Sequence, residues 1–302
     1  MTDIFETTLR DGTVFKGRKW LCDGAVANLV FITGMDEHAL RYKGFAGVLN
    51  VNKINLYVLD QLGQGLNAPS VEDLQKWPKD AFALTLEAIE TTRNEVAKNG
   101  LPTVVGGHSM GSFMIQGYLE TYPRVNQKAI IMGSNGGQKT LMGIAYKLAC
   151  MIVNKKNWDK PNPTMQNLGL GAYAKSIKNR KTDLDWLSYN EENVKVYAAD
   201  PYCGAMNTGG FWHEFLKGMK EIWKGKNLKK IHTTSRILIV SGEDDPVGQC
   251  GKGIRWLDKT YRVDMGISDV KTIIYPHMRH EILNEDNHEE VTDDIIEFIL
   301  KK

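Results

Sequence analysis

Cysteine is scarce in this sequence and forms no pattern. Cys22, Cys150, Cys203 and Cys250 stand far apart in 302 residues, without CxxC spacing. That argues against a zinc ribbon or a thioredoxin-like motif. Buried free thiols, suited to a reducing compartment, are the expectation. Charge of one sign is also missing. There are 38 Lys and Arg against 36 Asp and Glu, a formal net charge of +2. With no long single-sign run, no nucleic acid or polyanion partner is called for. The basic residues that thicken between Lys155 and Lys181 are interspersed with acids and apolar residues and read as a solvated face. No stretch reaches the roughly 18 apolar residues of a membrane span. Met1 to Lys19 lacks the basic start and apolar run of a signal peptide. A soluble, cytoplasmic protein is expected, with at most peripheral contact with a lipid surface. Repeats and low-complexity segments are absent.

What is present is alternation. Phe5 to Trp20 reads as an antiparallel strand pair around Asp11-Gly12, at a sheet edge. Asn28–Ile32, Ile54–Leu59, Thr103–Val105, Lys128–Met132, Arg236–Val240 and Lys271–Tyr275 are short apolar runs. Helical patterns separate most of them, among them Asp80–Lys98 and Val291–Leu300. Short buried strands alternating with helices predict an α/β fold, a mostly parallel sheet covered on both faces. The pattern breaks between about Ser134 and Lys230, a stretch rich in Lys, Asn, Gly, Trp and Met with no strand run. It reads as a helical cap inserted after the sixth strand. The expected division is a core of residues 1–133 and 231–302 and a cap of residues 134–230. The cap's Met and Trp side chains form a small core, and some line an apolar channel.

The chemistry centres on Gly107-His108-Ser109-Met110-Gly111, which lies between a strand and a helix. Gly-x-Ser-x-Gly in that context is a nucleophile elbow. The serine stands on a sharp turn, small neighbours let strand and helix pass closely, and the helix amides aim at a developing oxyanion. A serine nucleophile needs a base, and the base needs an acid to fix its tautomer. Both candidates follow late strands in the required order. Asp245 is favoured over Asp244 because Pro246 biases it toward an extended backbone. His280 is favoured over His277 as the base, and His108, adjacent to the serine, is expected to pack in the elbow. The His277/His280 spacing comes without HExxH or a third-ligand cluster, so neither metal nor cofactor is expected. The oxyanion hole is expected from the backbone amides of Met35 and Met110.

Several motifs resemble one family. Thr33-Gly34-Met35-Asp36-Glu37-His38-x-x-Arg41-Tyr42 resembles the HGMxEHxxRY signature of the monoacylglycerol lipase and lysophospholipase branch of α/β-hydrolases, also described as serine aminopeptidase-like. Gly107 to Gly111 matches its GHSMG elbow. Residues 182–188 and 200–204 are similar to its bacterial cap motifs, and 242–248 and 279–285 to its acid and base segments. The resemblance runs from about residue 5 to 300 and implies the same site residues: Ser109, Asp245, His280 and the amides of Met35 and Met110. It implies a metal-free serine hydrolase of carboxylic esters, with small-molecule or monoacyl lipid substrates. An aminopeptidase-like enzyme and a short-chain esterase are the alternatives. Thr33 stands where the family usually has His, and Asp36 where it has a small residue. An inward carboxylate at Asp36 would oppose developing negative charge. The turn Asp60-Gln61-Leu62-Gly63-Gln64-Gly65 also departs from the family's DHRGHG-like form, so packing beneath the site is expected to differ.

Overall fold

The apolar runs become the strands of a single sheet. The computed structural model describes residues 3–301, so the outermost ends of the expected core segments (1, 2 and 302) lie outside the described residues. The strands are β1 (Asp3–Thr8), β2 (Val14–Trp20), β3 (Ala27–Ile32), β4 (Ile54–Leu59), β5 (Thr103–His108), β6 (Lys128–Met132), β7 (Arg236–Gly242) and β8 (Asp269–Tyr275). Their spatial order is β1-β2-β4-β3-β5-β6-β7-β8. The β1–β2 and β2–β4 pairs are antiparallel and the others parallel. This is the mostly parallel sheet that the alternation predicts, with the first strand pair at one edge.

Helices cover both faces. In chain order they are α1 (Lys43–Val51), α2 (Ala81–Val96), α3 (Met110–Thr121), α4 (Lys139–Ile152), α5 (Pro163–Leu168), α6 (Leu170–Ser176), α7 (Glu191–Ala199), α8 (Gly209–Met219), α9 (Gly225–Leu228), α10 (Lys252–Lys259) and α11 (Glu289–Leu300). Every residue of β3 is buried, and the period of two splits them between two cores. Leu29 and Phe31 pack in the layer that holds Phe45 of α1 and Ile295 of α11. Val30 and Ile32 pack in the layer of Leu86 of α2 and Ile115 of α3. A strand buried on both faces has no polar side to show, which is why these runs lack alternation.

Helices α4 to α9 all fall between β6 and β7, and the sole pairing there is an isolated bridge between Pro161 and Thr208. They form no separate core: Met165, Trp212 and Phe215, with Trp223 of the turn before α9, join the layer containing α2 and α3. Among the described residues no helix is long and apolar enough to cross a membrane.

One expectation is corrected. The four cysteines are free but not buried: Cys22 and Cys203 are half-buried, and Cys150 and Cys250 are exposed. Cys150 lies near the end of α4 and Cys250 in the turn before α10, so local position overrides the residue type's usual preference for the interior.

The sheet topology fixes where a site belongs. From β3 the chain moves one way to β4, then returns to the other side of β3 as β5. Open α/β sheets bind ligands beyond the carboxyl ends of strands at such a reversal. The residues there are Thr33 to His38 after β3 and Ser109 after β5.

Candidate active site

The elbow is forced by close contact. Ser109 has φ 53° and ψ −120°, directly before α3, a sparsely populated conformation that costs about 1–3 kcal/mol. A Cβ on Gly107 would stand 2.5 Å from the Gly111 backbone, and one on Gly111 would stand 2.3 Å from the Ile32 carbonyl oxygen. Both glycines of the motif are therefore steric requirements. The turn is held by Ser109 N–H donating to Met132 O at 3.0 Å and by Ser112 Oγ donating to Ser109 O at 2.5 Å.

Asp245 and His280 meet across the ends of β7 and β8. His280 Nδ1 lies 3.0 Å from Asp245 Oδ1 and 3.1 Å from Oδ2. Val247 N–H and Ser241 Oγ donate to the same carboxylate, and both members of the pair are buried. Gly242 makes this approach possible: a Cβ there would sit 2.2 Å from the carbonyl oxygens of Met278 and Arg279. The imidazole is fixed between His108 (ring centroids 4.7 Å apart) and Trp186 (5.0 Å). Its Nε2 is buried without a hydrogen-bond partner. Ser109 and His280 line one cavity of about 330 Å³. The other candidates lie elsewhere: His277 is exposed with φ 53°, and Asp244 Oδ2 accepts from Tyr189.

Met35 and Met110 line the same cavity. Among the described residues, the backbone N–H of neither has an acceptor. Gly34 brings the first loop to the elbow, since a Cβ on it would lie 3.1 Å from Ser109 Cβ. Two glutamines of the Asp60–Gly65 turn orient that loop. Gln61 donates to Thr33 O at 2.9 Å and Gln64 to Gly34 O at 3.0 Å. Asp60 accepts from Ala39 N–H and Leu66 N–H, although burial raises its carboxyl to about 6.

Sequence reasoning missed a charged cluster behind the loop. Glu37 accepts from Gly34 N–H at 2.5 Å, Tyr42 Oη at 2.8 Å and Arg41 Nη1 at 3.0 Å, and lies 3.3 Å from His108 Nδ1. Arg41 also grips Glu281 with two hydrogen bonds of 2.7 and 2.8 Å. Burial works against the Glu37 carboxylate, but His108, Arg41 and Tyr42 outweigh it and lower its pKa to about 2. Burial likewise disfavours charged His108, yet Glu37 and Glu281 raise its pKa. His108 is thus a packed, paired residue of the elbow. The spacing Glu37-x-x-x-Arg41 was the available signal; Glu281 is too distant in the chain to have been paired with it by spacing.

One cluster of His, Asp and Cys side chains lies outside the cavity. His38, Asp200 and Cys203 bring ligand atoms within 4.8 Å of one another. His38 Nε2 and Asp200 Oδ2 are already hydrogen-bonded at 2.9 Å, and none of the three lines the cavity.

Known proteins share this architecture. Residues 24–287 match the family model described as Hydrolase_4: Serine aminopeptidase, S33. The chain belongs to this S33 hydrolase family. Among its relatives is a monoacylglycerol lipase of Mycolicibacterium smegmatis, 24% identical over 277 residues, or 90% of this chain and 87% of that protein. The S33 fold is shared with a thermostable carboxyl esterase from Bacillus coagulans, solved with glycerol, at TM-score 0.88 and 24% identity, covering 99% and 97% of the two chains. A soluble variant of monoglyceride lipase from Saccharomyces cerevisiae, solved with a substrate analog, superposes at TM-score 0.75 and 18% identity, covering 99% and 94%. The mostly parallel sheet read from the strand pattern, and the α/β-hydrolase fold that the motif resemblance implies, are what is found.

Proposed function

We propose that this S33 hydrolase is a carboxylic ester hydrolase of the lipase type, acting on monoacyl lipid esters. In this reading Ser109 is the nucleophile, His280 the base and Asp245 the orienting acid. The amides of Met35 and Met110 are the oxyanion hole, and residues 134–230 form a cap over a core of 1–133 and 231–302. The observation that carries the reading is the state of His280. A carboxylate only accepts, so the 3.0 Å contact with Asp245 makes Nδ1 the donor and leaves Nε2, which has no partner, as the acceptor on an imidazole that lines the same cavity as Ser109. Ser109 Oγ attacks the ester carbonyl as Nε2 takes its proton, and the alcohol leaves with that proton. Water, deprotonated in turn by His280, releases the acid. Each oxyanion donor contributes about 3–4 kcal/mol of barrier lowering in comparable sites.

The substrate class follows from the walls. Leu148, Met165, Trp212, Phe215 and Met219 face the cavity, a surface that suits an acyl chain. The similarity to a monoacylglycerol lipase supports the same choice. An aminopeptidase would need an unpaired carboxylate for the substrate's α-amine. Glu37 and Glu281 are both engaged by Arg41, and burial pushes Asp36 up to about 8, which leaves it uncharged at neutral pH.

The test is initial hydrolysis rates on p-nitrophenyl esters from acetyl to palmitoyl, with an aminoacyl amide alongside, for wild type and Ser109→Ala. Activity that peaks at medium or long chains and vanishes in the variant is expected. Activity confined to acetyl and butyryl esters indicates a short-chain esterase, and faster turnover of the amide indicates a peptidase. An unchanged rate in Ser109→Ala removes the site assignment.

A further inference from the structure

Asp36 does more than follow Met35. Its backbone has φ 60°, a conformation that Asp and Asn tolerate better than most residues. Its N–H donates to Gln64 Oε1 at 2.5 Å. Its carbonyl accepts from Gly204 N–H at 3.0 Å and Tyr197 Oη at 2.8 Å, and its Oδ2 accepts from Asn207 Nδ2 at 3.1 Å. One residue thus joins the loop after β3 to three points of the cap.

The hydrogen-bond count at this junction is incomplete in a specific way. Asp36 and Asn207 are 2% and 0% exposed, and Oδ1 of each is buried without a partner. A carboxylate offers acceptors only, so ionised Asp36 leaves both oxygens without a donor. A carboxylic acid has one O–H, and a proton on Asp36 Oδ1 directed at Asn207 Oδ1 removes both deficits as an acid–amide pair. The surroundings favour that state: burial raises the Asp36 pKa to about 8 against the hydrogen bonds of Asn207 and Gln166, and the charge of Glu37 adds to the rise. The titratable groups that interact with it are Glu37 on its own loop and, from the cap, Tyr197, while Cys203 precedes the Gly204 that donates to its carbonyl. Arg41, the cation of this region, is already held by Glu37 and Glu281. Gln64, Gln166 and Asn207 are neutral.

We propose that Asp36 is a positioning residue that works as an undissociated acid. Its pair with Asn207 ties the Met35 loop to the cap and holds the Met35 amide on the oxyanion, and loss of the proton slackens the site. The kinetic part of this inference rests on the ester-hydrolase reading above. It also reverses the concern that a carboxylate at this position opposes the developing charge, because the group facing the site is neutral.

The test compares wild type, Asp36→Asn and Asp36→Gly in kcat and KM on one p-nitrophenyl ester from neutral to alkaline pH, with melting curves for each. Wild-type kcat should fall above about pH 8 with KM little changed. Asp36→Asn supplies an N–H that does not ionise, so it should keep the neutral rate and lose that alkaline fall. Glycine accepts φ 60° but makes no pair, and should cost about ten- to a hundredfold in kcat at all pH values. An alkaline fall that persists in Asp36→Asn, or a folded Asp36→Gly as fast as wild type, overturns the proposal. If Asp36→Gly does not fold, the Asp36→Asn profile decides alone. Infrared difference spectra of wild type minus Asp36→Asn should contain an undissociated carboxyl band at neutral pH that disappears near pH 8, and a missing band overturns the proposal without any assay. Ser109→Ala in the same assay separates failure of the ester reading from failure of this one.

Discussion

Below the cavity, parts of the chain far apart in sequence meet through named polar contacts. Glu37 and Arg41 meet Glu281, Asp245 meets His280, and Gln61 and Gln64 hold the carbonyls of Thr33 and Gly34. Gly107, Gly111 and Gly242 stand where a single Cβ would strike backbone. Above the cavity, helices α4, α5 and α8 meet the same space through Leu148, Met165, Trp212 and Phe215. Hydrogen bonds are directional and steric overlap is unforgiving, so the floor tolerates little change. Apolar packing is set by volume and tolerates exchange, so the roof is free to change what fits. Under the proposed function this contrast is a division of labour, with reaction geometry below and acyl-chain selection above.

Substitutions on the floor should cost most. Ser109→Ala and His280→Ala should each lower kcat by about a millionfold, and the double variant should be scarcely worse, because residues that act as a unit are not additive. Single-turnover assays check this, and additive losses would mean that the two do not act together.

Next comes the charged cluster. Arg41→Ala leaves Glu37 and Glu281 buried without their cation and should cost about 3–5 kcal/mol of stability in urea titrations. The acid side carries a second signature. Because the Glu37 pKa is lowered to about 2, its contribution is complete above its ordinary pKa near 4.5 and is lost as pH falls toward 2. Arg41→Ala should reduce that acid-side loss.

A third change probes the seam between floor and roof, where Glu120 of α3 accepts from Trp223 N–H at 3.1 Å. Burial raises Glu120 to about 8, so the folded protein keeps a proton that the unfolded chain has released. Its contribution makes stability fall by about 1.4 kcal/mol per pH unit between its ordinary pKa and pH 8. Glu120→Gln should flatten that slope in denaturant titrations across this range, and an unchanged slope refutes the assignment.

The smallest effect belongs to the roof. Leu148→Trp should reduce kcat/KM for long-chain esters by about tenfold while sparing the acetyl ester, as the ratio of the two specificity constants will report. Equal losses on both would place Leu148 in the reaction geometry after all.

The same division explains what could be read from the sequence. Strand identity, the elbow and the placing of Ser109, Asp245 and His280 beyond strand ends are local patterns: buried runs, glycines that admit a close pass, loops just past the strands. The seating of the oxyanion loop is not local. Gln61 and Gln64 are an unremarkable turn until Thr33 and Gly34 lie over them. Arg41 finds Glu281 across 240 positions of chain. The cysteines fail for the opposite reason, since composition gives an average tendency and carries no information about which turn or helix position a residue occupies.

Asp245 and His280 hang from β7 and β8, and β8 ends the sheet, paired on one side only. All but the last residue of β8 are incompletely buried. Edge elements of this kind open at lower free energy than the rest of a fold, a hierarchy that amide hydrogen exchange resolves residue by residue. Fraying of β8 would carry the imidazole away from Ser109 while β3, β5 and their two cores stayed intact. With His280 as the proposed base, heat or denaturant would then silence this protein before it unfolded it.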